Sequence, residues 1–433
     1  MASDPAAVAN AAIAAASPAL AALLSPLGRR AAFPPDIPFQ AAQARGKTFN
    51  GTIGQITDGR GQAVPVPALA AALAGLPEAA RNRALLYSPV EGIPEVRQAW
   101  RSWQRRGVSD AVASTLPLVT VGLSHGLSLV ADLFAGEGRP VAVPAPFWGN
   151  YRVAFALRTG ARVLAAPAFR DGQYDCRAIP RALAEVAPGE PAVAILNLPS
   201  NPGGYSLTRE ERREVVAALV AEAGRRPLLV VCDDAYLGLV YEDDVPRESL
   251  FWELVGRHPN LAPVKVDGAT KELSFFGGRV GFLTFAVAPD SEAAAALESK
   301  VKCLARATLG SPVATSQMLL LQGLEAADAA AQVERIRLLL AERYRALRQA
   351  LAGVDPALLR PLPFNSGCFA LLELPVELGL AADRVRLHLL AHHDTGLVSI
   401  GDSYLRIAFC SVAAAALPEM VRRVERGVAE LAG

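Results

Sequence analysis

Residues 268–282 read GATKELSFFGGRVGF, with Lys271 set after three small residues and Arg279 eight positions later, beyond a glycine pair. A lysine amine can capture a carbonyl carbon or carry a proton, provided its surroundings lower its basicity. Four other short stretches offer groups that could act beside it. Gly122-Leu123-Ser124-His125-Gly126 joins glycines, free backbone N–H groups and a hydroxyl, a set that suits a phosphate. Phe147-Trp148-Gly149-Asn150-Tyr151 could lay an aromatic plate against a planar ligand. Asn201-Pro202-Gly203-Gly204 puts an amide on a tight turn, and Asp233-Asp234-Ala235-Tyr236 puts a carboxylate and a phenol at the end of an apolar run. Burying that carboxylate demands a cationic partner, which a ligand could supply.

Each stretch follows a short apolar run, and ligands of open parallel sheets bind where strands end and loops lead into helices. From about residue 67 such runs alternate with helical spacing. LPLVTVG (116–122), RPVAVPAPFW, ARVLAAPAF, PAVAILNLPS and RPLLVVCDD read as strands, whereas IPEVRQAWRSWQRRG (93–107) and SHGLSLVADLFA read as helices. The alternation predicts an α/β fold, with a mostly parallel mixed sheet between helices. After residue 311 two helices are followed by FALLELP, another helix, YLRIAFCSV and a terminal helix, the texture of a smaller α+β domain. The expected division is an N-terminal arm with part of the small domain at 1–64, a large domain at 65–325 and a C-terminal small domain at 326–433.

With 43 basic and 42 acidic side chains the chain has no field to draw nucleic acid or an anionic membrane. The five cysteines show no CxxC pairing, which favours reduced thiols in a cytoplasmic protein over disulfides or a zinc site. PAAVANAAIAAASPALAALL (5–24) lacks a preceding basic segment and is broken by Asn10 and Pro18. It reads as an alanine-rich helix packed on the body or on a partner chain, rather than a cleaved signal or a membrane span. His392-His393-Asp394 reads as a solvated helix end rather than a metal site, and Asp234 as a surface or loop-capping carboxylate.

One cofactor matches the whole set of strand-end groups. Pyridoxal 5′-phosphate brings an aldehyde for a lysine, a ring nitrogen that a carboxylate keeps protonated, a ring oxygen and a phosphate. The chain also resembles the fold-type I, class I/II aminotransferases, from about Gly54 to Arg406. YSPVEGIPEVRQAW resembles the family's Y-x-P-x-x-G-x-P-x-x-R block, NLPSNPGG its N-P-x-N-P-T-G block and CDDAYLGLVY its D-E-x-Y block. The stretch around Lys271 is similar to S-x-S-K…G-x-R-x-G.

The resemblance implies that Lys271 binds the cofactor covalently and that Asp233 pairs with its ring nitrogen. It implies that Asn201 and Tyr236 bond the ring oxygen, that Trp148 stacks on the ring, and that Leu123, Ser124 and Arg279 hold the phosphate. Tyr87 would reach the phosphate of a neighbouring subunit in a homodimer with shared active sites. Arg406, with the Gly54 backbone beside it, would grip the substrate carboxylate. Two positions depart from the family pattern: Gly203 replaces the threonine of the asparagine block, and Gly268 replaces a serine, with Thr270 a possible substitute.

The implied reaction moves an amino group from an L-amino acid to a 2-oxo acid. Another pyridoxal-phosphate reaction, β-lyase or decarboxylase, would use the same residues. A non-catalytic ligand sensor would need a basic helix-turn-helix segment, and the alanine-rich N-terminus is not basic. Arg306 gives a slight tilt toward acidic substrates, but an aromatic, aliphatic or broad-range donor carries more weight.

Overall fold

The computed structural model describes residues 4–33 and 36–433. Seven strands form the central sheet: β1 (Leu118–Thr120), β2 (Pro140–Ala145), β3 (Arg162–Pro167), β4 (Ala192–Asn197), β5 (Leu228–Asp233), β6 (Leu261–Gly268) and β7 (Gly281–Phe285). Their order is β1-β7-β6-β5-β4-β2-β3. Neighbours from β6 across to β3 run parallel, and β7 is antiparallel to both β6 and β1. This is the mostly parallel mixed sheet that the alternating pattern implies.

Side chains alternate across a strand, and here both faces are apolar. Val193 and Ile195 of β4 join one core cluster, while Ala192, Ala194 and Leu196 join the other. Helices cover both. Helix Pro94–Gln104 lays Trp100 flat on Phe282 of β7, ring centroids 4.5 Å apart. Helix Arg209–Ala223 begins at a capping box, the Thr208 hydroxyl accepting from the Glu211 amide while the Glu211 carboxylate accepts from the Thr208 amide.

A second, antiparallel sheet takes Arg360–Pro361, Phe369–Glu373, Tyr404–Ala408 and Val398–Ile400 in that order. Phe49–Asn50 pairs in parallel with Thr395–Gly396, which ties the start of the chain to this C-terminal part. The two sheets meet at the loop after β4. The Gly204 carbonyl accepts from the Asn365 and Ser366 amides, both at 3.0 Å. Gly204 has φ +68°, and a Cβ there would lie 1.8 Å from the Phe369 carbonyl oxygen, so only glycine allows this junction.

Three sequence expectations change. The segment 5–24 is two helices, Pro5–Ala16 and Pro18–Leu23, broken where Pro18 cannot continue the first. Of their residues only Ala6 is buried, so neither packs into the body of this chain. Asp234 is not a surface carboxylate: it is buried, 3.4 Å from the Lys265 amine. His393 turns inward, and its Nε2 lies 2.8 Å from Glu430, so of the two histidines only His392 fits the solvated helix end.

Candidate active site

The ends of β4, β5 and β6 set the chemistry. Asn197 closes β4 directly opposite Asp233, which closes β5, and Asp233 in turn faces Val266 of β6. Beyond Gly268 the chain makes a single helical turn, Ala269–Glu272, that carries Lys271. Gly54, Leu123, Ser124, Trp148, Asn201, Asp233, Tyr236, Lys271, Arg279 and Arg406 all line one cavity of about 660 Å³. Tyr87 does not: it is 98% exposed. Arg306 lies on an exposed helix face outside the cavity of its own chain.

At the anion end, helix Gly122–Phe134 points its first turn into the cavity, where N–H groups have no intrahelical partner. Gly122 takes φ +70°, and a Cβ there would sit 2.4 Å from Arg279 Nη2, so glycine lets the guanidinium close on the helix end. Arg279 itself is left-handed, φ 52°, a conformation uncommon for a side chain of its size. At 268 there is no room for the family serine, because a Cβ would meet the Val280 carbonyl oxygen at 2.6 Å. Thr270, two residues on, lines the cavity with a buried hydroxyl that has no partner among the described residues.

At the opposite end the Asp233 carboxyl is 2% exposed, and burial pushes its pKa up. The Tyr151 hydroxyl, donating at 2.5 Å, the Lys271 charge and the Ala235 amide at 3.2 Å act in the other direction. These groups do not cancel the burial, so a cationic group on a ligand would be stabilised beside Asp233. Lys271 Nζ lies 5.1 Å from the centre of the Tyr236 ring. Desolvation holds its pKa below the ordinary lysine value, Asp233 opposing and Arg279 assisting. Burial holds the Tyr236 phenol protonated, well above its usual range.

Arg406 is 1% exposed. It donates to the Asn201 side-chain oxygen at 3.0 Å and to the Thr52 carbonyl at 2.7 Å, and lies over the Phe369 ring at 4.3 Å. Its Nε has no partner among the described residues. Gly54 is pressed against the same ring, where a Cβ would stand 2.5 Å from Phe369 Cζ.

The cavity therefore joins an anion cradle, a lysine, a carboxylate that would stabilise a cation and a partly unpaired arginine. These residues fit pyridoxal phosphate, whose phosphate, aldehyde and protonated ring nitrogen answer the first three. Sequence reasoning did not find the parts played by Tyr151 and Asn197. Tyr151 lies within the quoted aromatic stretch but works through its hydroxyl, and Asn197 accepts from the Asn201 amide at 2.7 Å and donates to the Asp233 carbonyl at 2.9 Å. It also missed Phe33, Asp36 and Ile37, which line the cavity from the N-terminal segment. Nothing in that irregular stretch signals a strand end.

Fold and site together define an enzyme of pyridoxal-phosphate chemistry on a fold-type I scaffold. The family described as "Aminotransferase class I and II" matches residues 49–424, and the chain belongs to it. A 2-aminoadipate transaminase of Thermus thermophilus is 31% identical over 355 residues, covering 80% of this chain and 82% of that protein. The solved α-aminoadipate aminotransferase of the same organism, complexed with N-(5′-phosphopyridoxyl)-L-leucine, superposes with a TM-score of 0.71. It is 26% identical, with 91% of this chain and 97% of that one covered. An Anaerococcus prevotii aminotransferase shares the fold at TM-score 0.78 and 19% identity, covering 91% and 96% of the two chains. The protein is a pyridoxal-phosphate-dependent aminotransferase.

Proposed function

We propose that Lys271 is the covalent anchor of the cofactor and the base of the reaction, acting on an L-amino acid and a 2-oxo acid in a site shared between two copies of the chain. The observation that carries this is the convergence of Lys271, Asp233, Arg279 and Arg406 on one cavity. When bound, pyridoxal phosphate supplies the electrophilic carbon and the electron-withdrawing ring that acidifies the amino acid's Cα. The chain's residues supply the rest. Arg406, pre-aimed by Asn201 and Thr52, takes the substrate α-carboxylate as a fork beside the Gly54 backbone. Once the substrate amine has displaced it from the cofactor, the desolvated Lys271 Nζ would accept the proton from Cα. Asp233, fixed by Tyr151, would pair with the ring nitrogen, Tyr236 and Asn201 would bond the ring oxygen, and Trp148 would stack on the ring. Leu123, Ser124 and Arg279 would hold the phosphate, with the Thr270 hydroxyl in place of the missing serine.

Tyr87 serves the second copy's site. Leu85, Leu86 and Tyr87 are 81%, 61% and 98% exposed, three consecutive large side chains that a homodimer would cover. The division at 1–64, 65–325 and 326–433 is supported by the strand pair that joins Phe49–Asn50 to Thr395–Gly396. All five cysteines are unpaired, which suits a cytoplasmic protein. No helix of the described residues is long and apolar enough to cross a membrane.

Phe33, Ile37, Val153 and Leu157 form an apolar wall, which favours an aliphatic or aromatic donor side chain. The name of the Thermus relative adds 2-aminoadipate to the test panel. A single-turnover screen of leucine, phenylalanine, glutamate and 2-aminoadipate, scored by release of the matching 2-oxo acid, tests this reading. Release of carbon dioxide or a side-chain fragment instead would overturn it in favour of a decarboxylase or β-lyase.

A further inference from the structure

Five charged side chains line the active-site cavity: Asp36, Asp233, Lys271, Arg279 and Arg406. In the proposed function four of them have a task. Lys271 and Asp233 meet the cofactor, Arg279 meets its phosphate, and Arg406 meets the α-carboxylate of the substrate. Asp36 is left over. Neither the cofactor nor the part common to all amino acids calls for a second carboxylate, so its natural counterpart is the substrate side chain.

Asp36 is half-buried and held by one oxygen only. It caps helix Ile37–Gln43, with Oδ1 accepting from the Ile37 amide at 2.7 Å. Gln40 pins that helix to Ser399, donating to its carbonyl at 3.2 Å and accepting from its amide at 2.8 Å. Oδ2 has no hydrogen-bond or ion-pair partner among the described residues. It lies against Gly149, where a Cβ would stand 3.0 Å from it, so glycine leaves the carboxylate room between Trp148 and Asn150, which both line the cavity. Arg30, at the end of helix Pro26–Arg30, is exposed and donates to the Leu157 carbonyl at 3.3 Å, not to Asp36. Burial pulls the Arg406 pKa down, and Asp36 is among the groups that oppose this, so its charge is felt at the carboxylate fork.

A partly desolvated carboxylate without a cation favours a cationic ligand group and repels an anionic one, and poor screening strengthens both effects. Phe33, Ile37, Val153 and Leu157 offer an apolar path beside it. A long aliphatic stem with a charged amine at its tip uses both features. We propose that Asp36 sets the side-chain preference of the enzyme: a basic amino acid with a long aliphatic stem is the favoured donor, and an acidic one of similar length is turned away. The inference rests on the assignment of Arg406 to the α-carboxylate, which leaves Asp36 to the far end of the substrate.

Norleucine, lysine and 2-aminoadipate have unbranched stems that end neutral, cationic and anionic. Their kcat/KM values are to be compared in wild type and in Asp36→Asn, whose amide still caps the helix but carries no charge. Wild type should rank lysine first and 2-aminoadipate last, about tenfold or more apart. In the variant the lysine-to-norleucine ratio should fall by about tenfold and the 2-aminoadipate-to-norleucine ratio should rise by about as much. Titration of holoenzyme with 6-aminohexanoate, hexanoate and adipate gives a readout free of turnover, and the affinities should follow the same order and shift in the same way. Either kinetic ratio staying within about twofold of wild type, or 2-aminoadipate outrunning lysine in wild type, would overturn the proposal while leaving the aminotransferase site standing. No turnover of any of the three would sink the site assignment itself, and this proposal with it.

Discussion

Replacing Tyr151 by phenylalanine removes one hydroxyl and little else, because the ring stays packed beside Trp148 and Phe147. The Asp233 Oδ2 atom then loses its 2.5 Å donor and keeps no substitute, since the Ala235 amide bonds the other oxygen. A hydrogen bond to a charged group contributes about 1.5–3 kcal/mol. If that support is needed when the carboxylate faces the ring nitrogen, kcat/KM should fall by about ten- to a hundredfold, at 1.36 kcal/mol per decade. Stability gives an independent reading. Burial already holds the Asp233 pKa above its unfolded value, so the apo protein loses stability as pH rises past that value, and removing Tyr151 deepens the loss. The thermal destabilisation of Tyr151→Phe should therefore be larger at about pH 7.5 than at about pH 5. Equal losses of Tm at both pH values, together with kcat/KM within about twofold of wild type, would refute the reasoning.

Lys271→Ala should remain folded and bind the cofactor without a covalent link or turnover; after borohydride reduction of wild type, peptide mapping should find the label on Lys271 and on no other lysine. Arg406→Lys should raise KM for every amino acid tested, because a point charge replaces a fork whose two ends are already placed by Asn201 and Thr52. Light scattering should show a dimer at assay concentration, and an active monomer would end the assignment of Tyr87. Glu272→Gln should gain stability relative to wild type as pH rises from about 4.5 to 7, the window in which the wild-type carboxyl is forced to ionise in a buried place; a pH-independent difference in Tm would contradict this.

The sheet and most residues that line the active-site cavity were legible because each obeys a local rule. Apolar runs of strand length recur at helical spacing, and chemistry-bearing residues follow them where the chain must turn. Lys271, Asp233 and Asn201 could be read from those turns alone, although Arg406 needed the resemblance, since it sits within a strand whose pattern marks it only as an interruption. Part of what stayed hidden lies inside strands or just past their ends. Lys265 and Asp267 belong to β6, a strand buried along nearly all its length, and a two-residue spacing puts them on one face. Read singly, each looks like a lapse in an apolar run. Asp234 likewise looks like a spare carboxylate beside Asp233, until the fold sets Lys265 within 3.4 Å and burial pushes its carboxyl up to about 6. Trp100 completes the group by donating to Asp267 at 3.0 Å from a helix 167 positions away in sequence. Such a network cannot be inferred one residue at a time, because an unpaired buried charge is too costly to keep and Asp234 and Trp100, which complete it, lie on other elements. The buried carboxylates around Lys265 therefore mark the place where the sequence departs from the cheapest apolar solution. That departure lies directly behind the lysine turn, in the strand that leads into it.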